Sequence, residues 1–399
     1  MAGRNWGGNV EFGARRVLRP RSVDELRGMV VNADRVRALG TGHSFNRVAD
    51  TVGDLVNLQD LPPRLEIAGD TVTVSAGTRF GELVGPLNRA GRALHNLGSL
   101  PHISVAGACA TGTHGSGDGN PCLAAAVTEY ELVTAGGELV TMPHETAVGL
   151  GRLGVVTALT LRTQPTYDIQ QVVYDDLPME ALDDLDGVFG AGYSVSLFTR
   201  FRGPAFELAF VKRRVDPAAP WTPPDTWFGA VRAPEQRHPL SGEPPEHTTL
   251  QDGLPAPWHT RLPHFRLEFT PSKGEEIQSE FFVPREHGPA AIRAVHALGP
   301  RLAPVLLISE IRTIAADDLP ASMAYQRDSV ALHFTWMRDQ AAVEAAVAEV
   351  EAAIARYEPR PHWGKVFTMT PPTVPQLRRL AAELDPHGIF ANDFTDKYL

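Results

Sequence analysis

The chain has 399 residues, 43% hydrophobic and 21% charged, with a formal net charge of −10. That length supplies core for one large domain or two ordinary ones. The acidic balance, without a basic stripe, excludes a nucleic-acid partner, and no apolar run is long enough for a membrane span.

In chain order, Met1-Ala2-Gly3-Arg4-Asn5-Trp6 lacks the apolar region of a signal peptide, so a cytoplasmic location is expected. Ser22-Val23-Asp24-Glu25 reads as a capping box opening a helix with Leu26, Met29 and Val30 on one side. Val36 to Leu39 is a short buried strand, and it delivers the run Gly40-Thr41-Gly42-His43-Ser44. Glycines here let backbone N–H groups approach an anion, Thr41 and Ser44 add hydroxyls, and His43 offers a nucleophilic ring nitrogen. Read alone, the loop is equally a glycine turn around a structural histidine. Leu65 to Ala68 and Val72 to Ala76 form a hairpin across Gly69-Asp70. Thr78 is expected to cap a helix carrying Phe80, Leu83, Val84 and Leu87, stopped at Gly91.

The stretch from Asn96 to Gly117 is dense in Gly, Ser and Thr, and histidines are its only ionisable groups apart from Cys109. It suits a backbone wrapped around an extended polar ligand. Neither the dinucleotide fingerprint Gly-x-Gly-x-x-Gly between strand and helix nor the phosphate-loop lysine occurs in it. Strands are expected at Val127 to Thr134, Glu138 to Met142 and Val155 to Leu161, with Gly154 at the head of the last and a domain boundary near Pro165.

Beyond Thr166 the texture changes. Ile169 to Tyr174, Tyr193 to Phe201, Phe206 to Lys212, Phe265 to Phe269, Glu280 to Val283, Val305 to Arg312 and Ser329 to Met337 read as strands of an antiparallel sheet. A proline-rich excursion from Asp216 to Pro263 carries Trp221, Trp227 and Trp258, which argue that it packs against something. Ala341 to Tyr357 is a helix with Val343, Val347, Val350, Ile354 and Tyr357 on one face, and Thr373-x-x-Gln376 is expected to open a last helix ending at Asp385 to Gly388.

Three late motifs carry polar groups on half-buried elements. Alternation in Ile308-Ser309-Glu310-Ile311-Arg312 puts Glu310 and Arg312 on one strand face, and in Leu332-His333-Phe334-Thr335 it pairs His333 with Thr335. In His362-Trp363-Gly364-Lys365 a tryptophan and a lysine flank a glycine; lysine is otherwise confined to Lys212, Lys273 and Lys397. A surface ion pair is the ordinary reading of adjacent Glu and Arg. Together, though, Glu, Arg, Thr, His and Lys suit a neutral, hydroxyl-rich substrate. The two cysteines, Cys109 and Cys122, have no metal-site spacing, and no metal is expected.

The loop Gly40 to Ser44, the stretch Ser99 to Gly117, Gly154-Val155-Val156-Thr157 and His362 to Lys365 resemble the vanillyl-alcohol-oxidase-type flavoproteins, and within them the alditol oxidases acting on xylitol or sorbitol. The resemblance implies an α+β, two-domain flavoprotein. Its FAD-binding domain, of two small α/β subdomains, would span 1–166 and be completed by 365–399. A substrate domain on a large antiparallel sheet flanked by helices would span 167–364. It further implies FAD bonded covalently to His43, with Ala38, Leu39, Gly40, Thr41, Gly42 and Ser44 around the pyrophosphate. Ser99, Ser104, Gly107, Thr111, Gly112, Thr113, His114 and Val156 would complete the cofactor contacts. Ser99, Glu310, Arg312, Thr335 and Lys365 match the polyol-binding positions, and Lys365, Arg312, Glu310 and His333 the catalytic set, with Glu310 and His333 both open as proton acceptor. Gly98 lies beside the flavin in this family, and its missing side chain would leave a path for oxygen. The implied partners are a small polyol and oxygen, the reaction gives an aldose and hydrogen peroxide, and a monomer is expected. The competing readings are an aldonolactone oxidase or dehydrogenase of the same group and a non-catalytic flavin- or sugar-binding module.

Overall fold

The computed structural model describes residues 3–269 and 275–399; Met1, Ala2 and Lys273 lie outside them. The N-terminal part holds a small parallel sheet and a five-stranded antiparallel sheet. The first pairs β1 (Arg16–Leu18) and β2 (Val36–Ala38) on either side of β3 (Asp54–Val56), with α1 (Val23–Val31) between β1 and β2 in the chain. The second contains β4 (Leu65–Ala68), β5 (Thr71–Ser75), β6 (Val127–Val133), β7 (Leu139–Pro143) and β8 (Val155–Arg162) in the order β4-β5-β8-β6-β7. Ser22 caps α1 by accepting from Glu25 N–H, and Leu26 and Val30 are its buried residues.

Two helix starts differ from expectation. α2 spans Phe80–Arg89, and Arg79 rather than Thr78 is its cap residue: the Glu82 carboxylate accepts from Arg79 N–H at 2.8 Å, while Thr78 N–H is taken by Ser75 C=O. Near the C-terminus, Pro375 opens the helix Pro375–Leu384 after Val374, so Thr373 caps nothing. Proline at the first helical position needs no partner for a missing N–H. The polar stretch also departs from a wholly extended wrap, because Val105–Ala110 form one short helix, α3, whose Val105, Ala108 and Cys109 are buried.

The second part is a ten-stranded sheet. Its long strands are β9 (Asp168–Pro178), β10 (Ser194–Thr199), β11 (Ala205–Arg214), β12 (Glu276–Pro284), β13 (Leu306–Ile314) and β14 (Ser329–Met337). They lie in the order β9-β11-β10-β13-β14-β12, all antiparallel. Phe265 to Phe269 is not among them; that segment turns, and only Phe265 makes an isolated bridge, to Thr248.

Alternation sorts each strand's side chains onto two faces. Ile277, Phe281 and Val283 of β12, Ile311 of β13, and Leu332, Phe334 and Trp336 of β14 share one buried cluster. With them are Ala291, Ile292 and Val295 of α4 (Gly288–His296) and Val343, Val347, Val350 and Ile354 of α5 (Gln340–Ile354). Each such side chain is worth roughly 1.5–3 kcal/mol of burial, so this helix-covered face fixes the register of the sheet. The other face turns its polar residues toward the N-terminal part.

Candidate active site

The β2 strand ends in the glycine loop. Leu39 N–H donates to Val56 C=O at 2.8 Å, and Asn57 Nδ2 holds the Leu39 and Gly40 carbonyls at 3.0 and 3.2 Å. Beneath it the buried Arg37 guanidinium donates to the carbonyls of Leu150, Gly151, Phe390 and Val48. Two features leave room for a ligand's backbone-hugging groups. Gly42 has φ +72°, which favours glycine, and a Cβ on Gly40 would lie 2.6 Å from Ser104 Oγ. Among the described residues the Ser104 hydroxyl itself is buried without a partner, as is Nδ1 of His43. The His43 ring stacks on Trp6, centroids 5.0 Å apart. Burial, with some help from His102, lowers its pKa to about 4, so the ring is neutral at pH 7 and its nitrogen lone pair is free. Unsatisfied hydroxyl and imidazole groups around a glycine-lined cradle fit the diphosphate and ring of FAD.

One continuous cavity of about 310 Å³ runs from this loop to the polar face of the large sheet. Ala38 to Ser44, Ser99, Ser104, Gly107, Thr111, Thr113, His114 and Val156 line it, as do Glu310, Arg312, His333, Thr335 and Lys365. Gly98 is also in the wall, and the nearest neighbour of a Cβ added there would be Thr113 Cγ2, at 3.6 Å. Gly112 is not in the wall; at φ +70° it packs on Met323.

Sheet register assembles the polar end. Glu280 on β12, His333 on β14 and Glu310 on β13 sit directly opposite one another in one cross-strand row. Arg312 stands two residues along β13, on the same face. Glu280 is the hub: Arg312 Nη2 donates to its Oε1 and Lys365 Nζ to its Oε2 at 2.6 Å, with His114 Nε2 3.3 Å from Oε1. Lys365 Nζ also donates to His333 Nδ1 at 2.7 Å. That ring must therefore carry its proton on Nε2, 3.2 Å from Thr335 Oγ1. Burial opposes ionisation of Glu280, but Arg312, Lys365 and His114 outweigh it and hold the carboxyl well below the usual range. Burial lowers the Lys365 ammonium, reinforced by Arg312 and resisted by Glu280. Glu310, likewise buried, is held ionised by Arg312 and His264. His114, Glu280 and His362 place ligand atoms within 4.8 Å of one another, yet a cation there would face the two fixed positive charges already on Glu280.

Backbone bonds join the two ends of the cavity. Phe45 N–H donates to Gly364 C=O at 2.7 Å, and Asn46 Nδ2 donates to the Trp363 and Lys365 carbonyls at 2.8 and 2.7 Å. His362 N–H donates to Glu280 C=O and Val366 N–H to Gln278 C=O, which sets Lys365 beside β12.

Glu280, Gln278 and His264 are cavity residues that local sequence patterns do not single out. The strand begins at Glu276, four residues before its expected start, and with that start the alternation Glu276, Gln278, Glu280 marks one polar face, a signal lost when the strand is begun at Glu280. The proline-rich excursion contributes Pro239 and Leu240 to the wall, and His264 and Phe265 follow directly after it.

Two buried rings give a stability prediction. Burial, then Lys212, lowers His264 to about 4, against Glu310; burial, then Lys365, lowers His333 to about 4. Above pH 6.5 both rings are neutral whether folded or not. Below it the unfolded chain takes up protons that the folded one refuses, so stability is lost as pH falls toward 4, by roughly 3 kcal/mol per ring. Urea midpoints measured at pH 7 and 4.5 should separate clearly; coincident midpoints would show these rings to be protonated or exposed.

Residues 14–143 match the family described as FAD binding domain, and residues 271–398 the family D-arabinono-1,4-lactone oxidase. The chain is 46% identical to an alditol oxidase of Streptomyces sp., over 98% of this chain and 97% of that one. It is 30% identical to an L-gulono-1,4-lactone dehydrogenase of Mycobacterium tuberculosis, over 99% and 98%. The fold is also that of cholesterol oxidase from B. sterolicum, with TM-score 0.76 at 16% identity, covering 99% of this chain and 96% of that one.

Proposed function

Given that the chain belongs to the alditol-oxidase group of the vanillyl-alcohol-oxidase-type FAD flavoproteins, we propose that it oxidises the terminal primary alcohol of linear polyols such as xylitol and sorbitol to the aldose. The protein is an FAD-dependent oxidoreductase with oxygen as acceptor. Bound FAD would take up the substrate's hydride and pass the electrons to oxygen, yielding hydrogen peroxide. The observation that carries the reading is the alternation of donors and acceptors in the cavity wall. There the carboxylates Glu280 and Glu310 stand against Arg312 and Lys365, with Thr335 and Ser99 hydroxyls also in the wall. Such a lining can donate to and accept from successive hydroxyls, which suits a neutral polyol.

In this reading Ala38 to Ser44, Ser104, Gly107, Thr111, Thr113, His114 and Val156 hold FAD, with His43 as its covalent anchor and Gly112 shaping the wall from behind. Gly98 leaves space for oxygen. Glu310, Thr335 and Ser99 position the non-reacting hydroxyls, which makes the step effectively unimolecular. Arg312 and Lys365 stabilise the alkoxide that develops as the hydride leaves. The two candidate proton acceptors are Glu310, held ionised by Arg312 and His264, and His333, whose Nδ1 accepts from Lys365 Nζ at 2.7 Å and would take a substrate proton only on giving up that bond. The FAD-binding domain is assigned to 1–166 with 365–399 and the substrate domain to 167–364. In support, Leu377, Phe390 and Phe394 pack in one core with Leu26, Val56 and Val155, while Phe189, Phe281 and Val350 belong to another.

The lactone-oxidase match over the C-terminal third keeps an aldonolactone oxidase or dehydrogenase as the second reading. Peroxide release from xylitol and sorbitol, against gulonolactone, separates the two. Turnover of the lactone alone would replace the first reading by the second, and no flavin bleaching by any of them without oxygen would leave only a binding module. Acid-precipitated, washed protein is expected to stay yellow, and His43→Ala protein to lose its colour. A colourless wild-type precipitate would remove the covalent anchor.

A further inference from the structure

Behind Glu310 lies a second layer of ionisable groups that the proposed reaction does not use. Lys212 on β11 is buried at 1% exposure, and no carboxylate among the described residues is within ion-pair distance of it. Its three hydrogens have three acceptors: Leu262 C=O at 2.6 Å, Pro263 C=O at 3.3 Å and His264 Nδ1 at 3.2 Å. Burial lowers Lys212 to about 7; as an ammonium it can only donate, so His264 Nδ1 then accepts and the ring proton sits on Nε2, facing the ionised Glu310. Nε2 is 2.7 Å from Glu310 Oε1. Phe198 and Phe210 stand edge-on to the ring, each 5.5 Å away, and leave it little freedom to flip. Both close contacts of the Glu310 carboxylate, His264 and Arg312, fall on Oε1. Oε2 has no protein hydrogen bond among the described residues, and Glu310 is in the cavity wall. The same segment donates from Phe265 N–H to Ser99 C=O at 3.3 Å, so it braces a second residue of the site.

We propose that Lys212 and His264 form a buried dyad that positions Glu310, Lys212 fixing the imidazole tautomer and His264 turning one carboxylate oxygen to itself so that the other meets a substrate hydroxyl. Removing an ammonium from water is expensive, and three neutral acceptors repay it poorly. An apolar side chain would fill the same space more cheaply; what it could not do is dictate which ring nitrogen carries the proton. The proposal rests on the polyol reading of the cavity: Lys212 lies outside the cavity wall and His264 in it, and both are positioning residues because their bonds run to one another and to Glu310.

The test compares His264→Phe with His264→Gln in the flavin-loaded enzyme. Phenylalanine keeps the packing against Phe198 and Phe210 but cannot donate, whereas the glutamine amide can accept from Lys212 and donate to Glu310. His264→Phe is expected to raise KM for xylitol about ten- to a hundred-fold and to lower kcat less, as for one lost hydrogen bond to a charged group. His264→Gln should recover most of that loss. A wild-type KM in the phenylalanine variant, or no difference between the two variants, overturns the proposal. Should the phenylalanine variant not fold, ring ¹⁵N spectra of the wild-type holoenzyme decide. A neutral His264 protonated on Nε2 supports the dyad, and protonation on Nδ1 or on both nitrogens refutes it. If wild-type enzyme oxidises no polyol at all, the polyol reading falls, and the tautomer still reports on the dyad separately.

Discussion

Lys365→Met is expected to slow anaerobic reduction of the flavin by xylitol by about two to three orders of magnitude while FAD stays bound. The ammonium lies in the cavity wall, 2.6 Å from Glu280 Oε2 and 2.7 Å from His333 Nδ1. In the proposed reaction it supplies the counter-charge for a developing alkoxide, beside His333, one of the two candidate proton acceptors. Methionine keeps most of the stem volume, so packing against the 362–366 segment survives and the loss is electrostatic. Arg312 remains, which is why the rate should fall and not vanish. The change also leaves Glu280 with one cation in place of two, so its carboxylate is less compensated beside the developing oxyanion. Stopped-flow bleaching of the flavin reads the step directly, and a variant that retains FAD absorbance but reduces at near wild-type rate would take Lys365 out of the catalytic set.

Glu280→Gln carries the largest expected effect on stability. Its carboxylate is fully enclosed and pairs with both Arg312 and Lys365; the amide would leave Lys365 with no carboxylate partner among the described residues and Arg312 with Glu310 alone. Removing one partner of a buried ion cluster typically costs about 3–5 kcal/mol, because the remaining charge stays desolvated and unpaired. The double variant Glu280→Gln, Lys365→Met checks the sign. With one charge of each sign removed, it should be more stable than Glu280→Gln alone, by urea midpoints at pH 7. A single variant within about 1 kcal/mol of wild type, by the same linear extrapolation, would mean that water reaches the cluster and screens it.

Local signals carried much of the architecture. The Ser22 cap, the Gly69-Asp70 hairpin, the long helix after Asp339 and the alternation of Glu310 with Arg312 each depend on residues a few positions apart, and each appears where the pattern put it. What escaped depends on pairing. Glu280 meets His333 and Glu310 only because three strands distant in sequence align in one register, and no local pattern specifies that alignment. His264 escaped for a related reason, as it follows a proline-rich loop with no periodicity and is held by Lys212 on a strand distant in sequence. The short helix Val105–Ala110 was hidden by a composition of small residues and a glycine that suggests an extended wrap; burial of Val105, Ala108 and Cys109 overrides that suggestion. At Thr78 and Thr373 the hydroxyl suggested a cap, but Glu82 bonding the Arg79 amide and Pro375 at the first helical position decided the helix starts.

The bonds from Phe45 and Asn46 to the segment Trp363 to Lys365, together with Val36 N–H on Ile389 C=O and Arg37 on Phe390 C=O, bear on biosynthesis. The histidine loop is made early, and the residues that clamp it are made only when the chain is nearly finished. A nascent chain stalled before Trp363 would present the loop with neither its clamp nor the lysine opposite. Flavin capture therefore belongs to the chain after translation has passed that point, and ribosome-bound truncations ending before Trp363 should emerge colourless in cells replete with FAD.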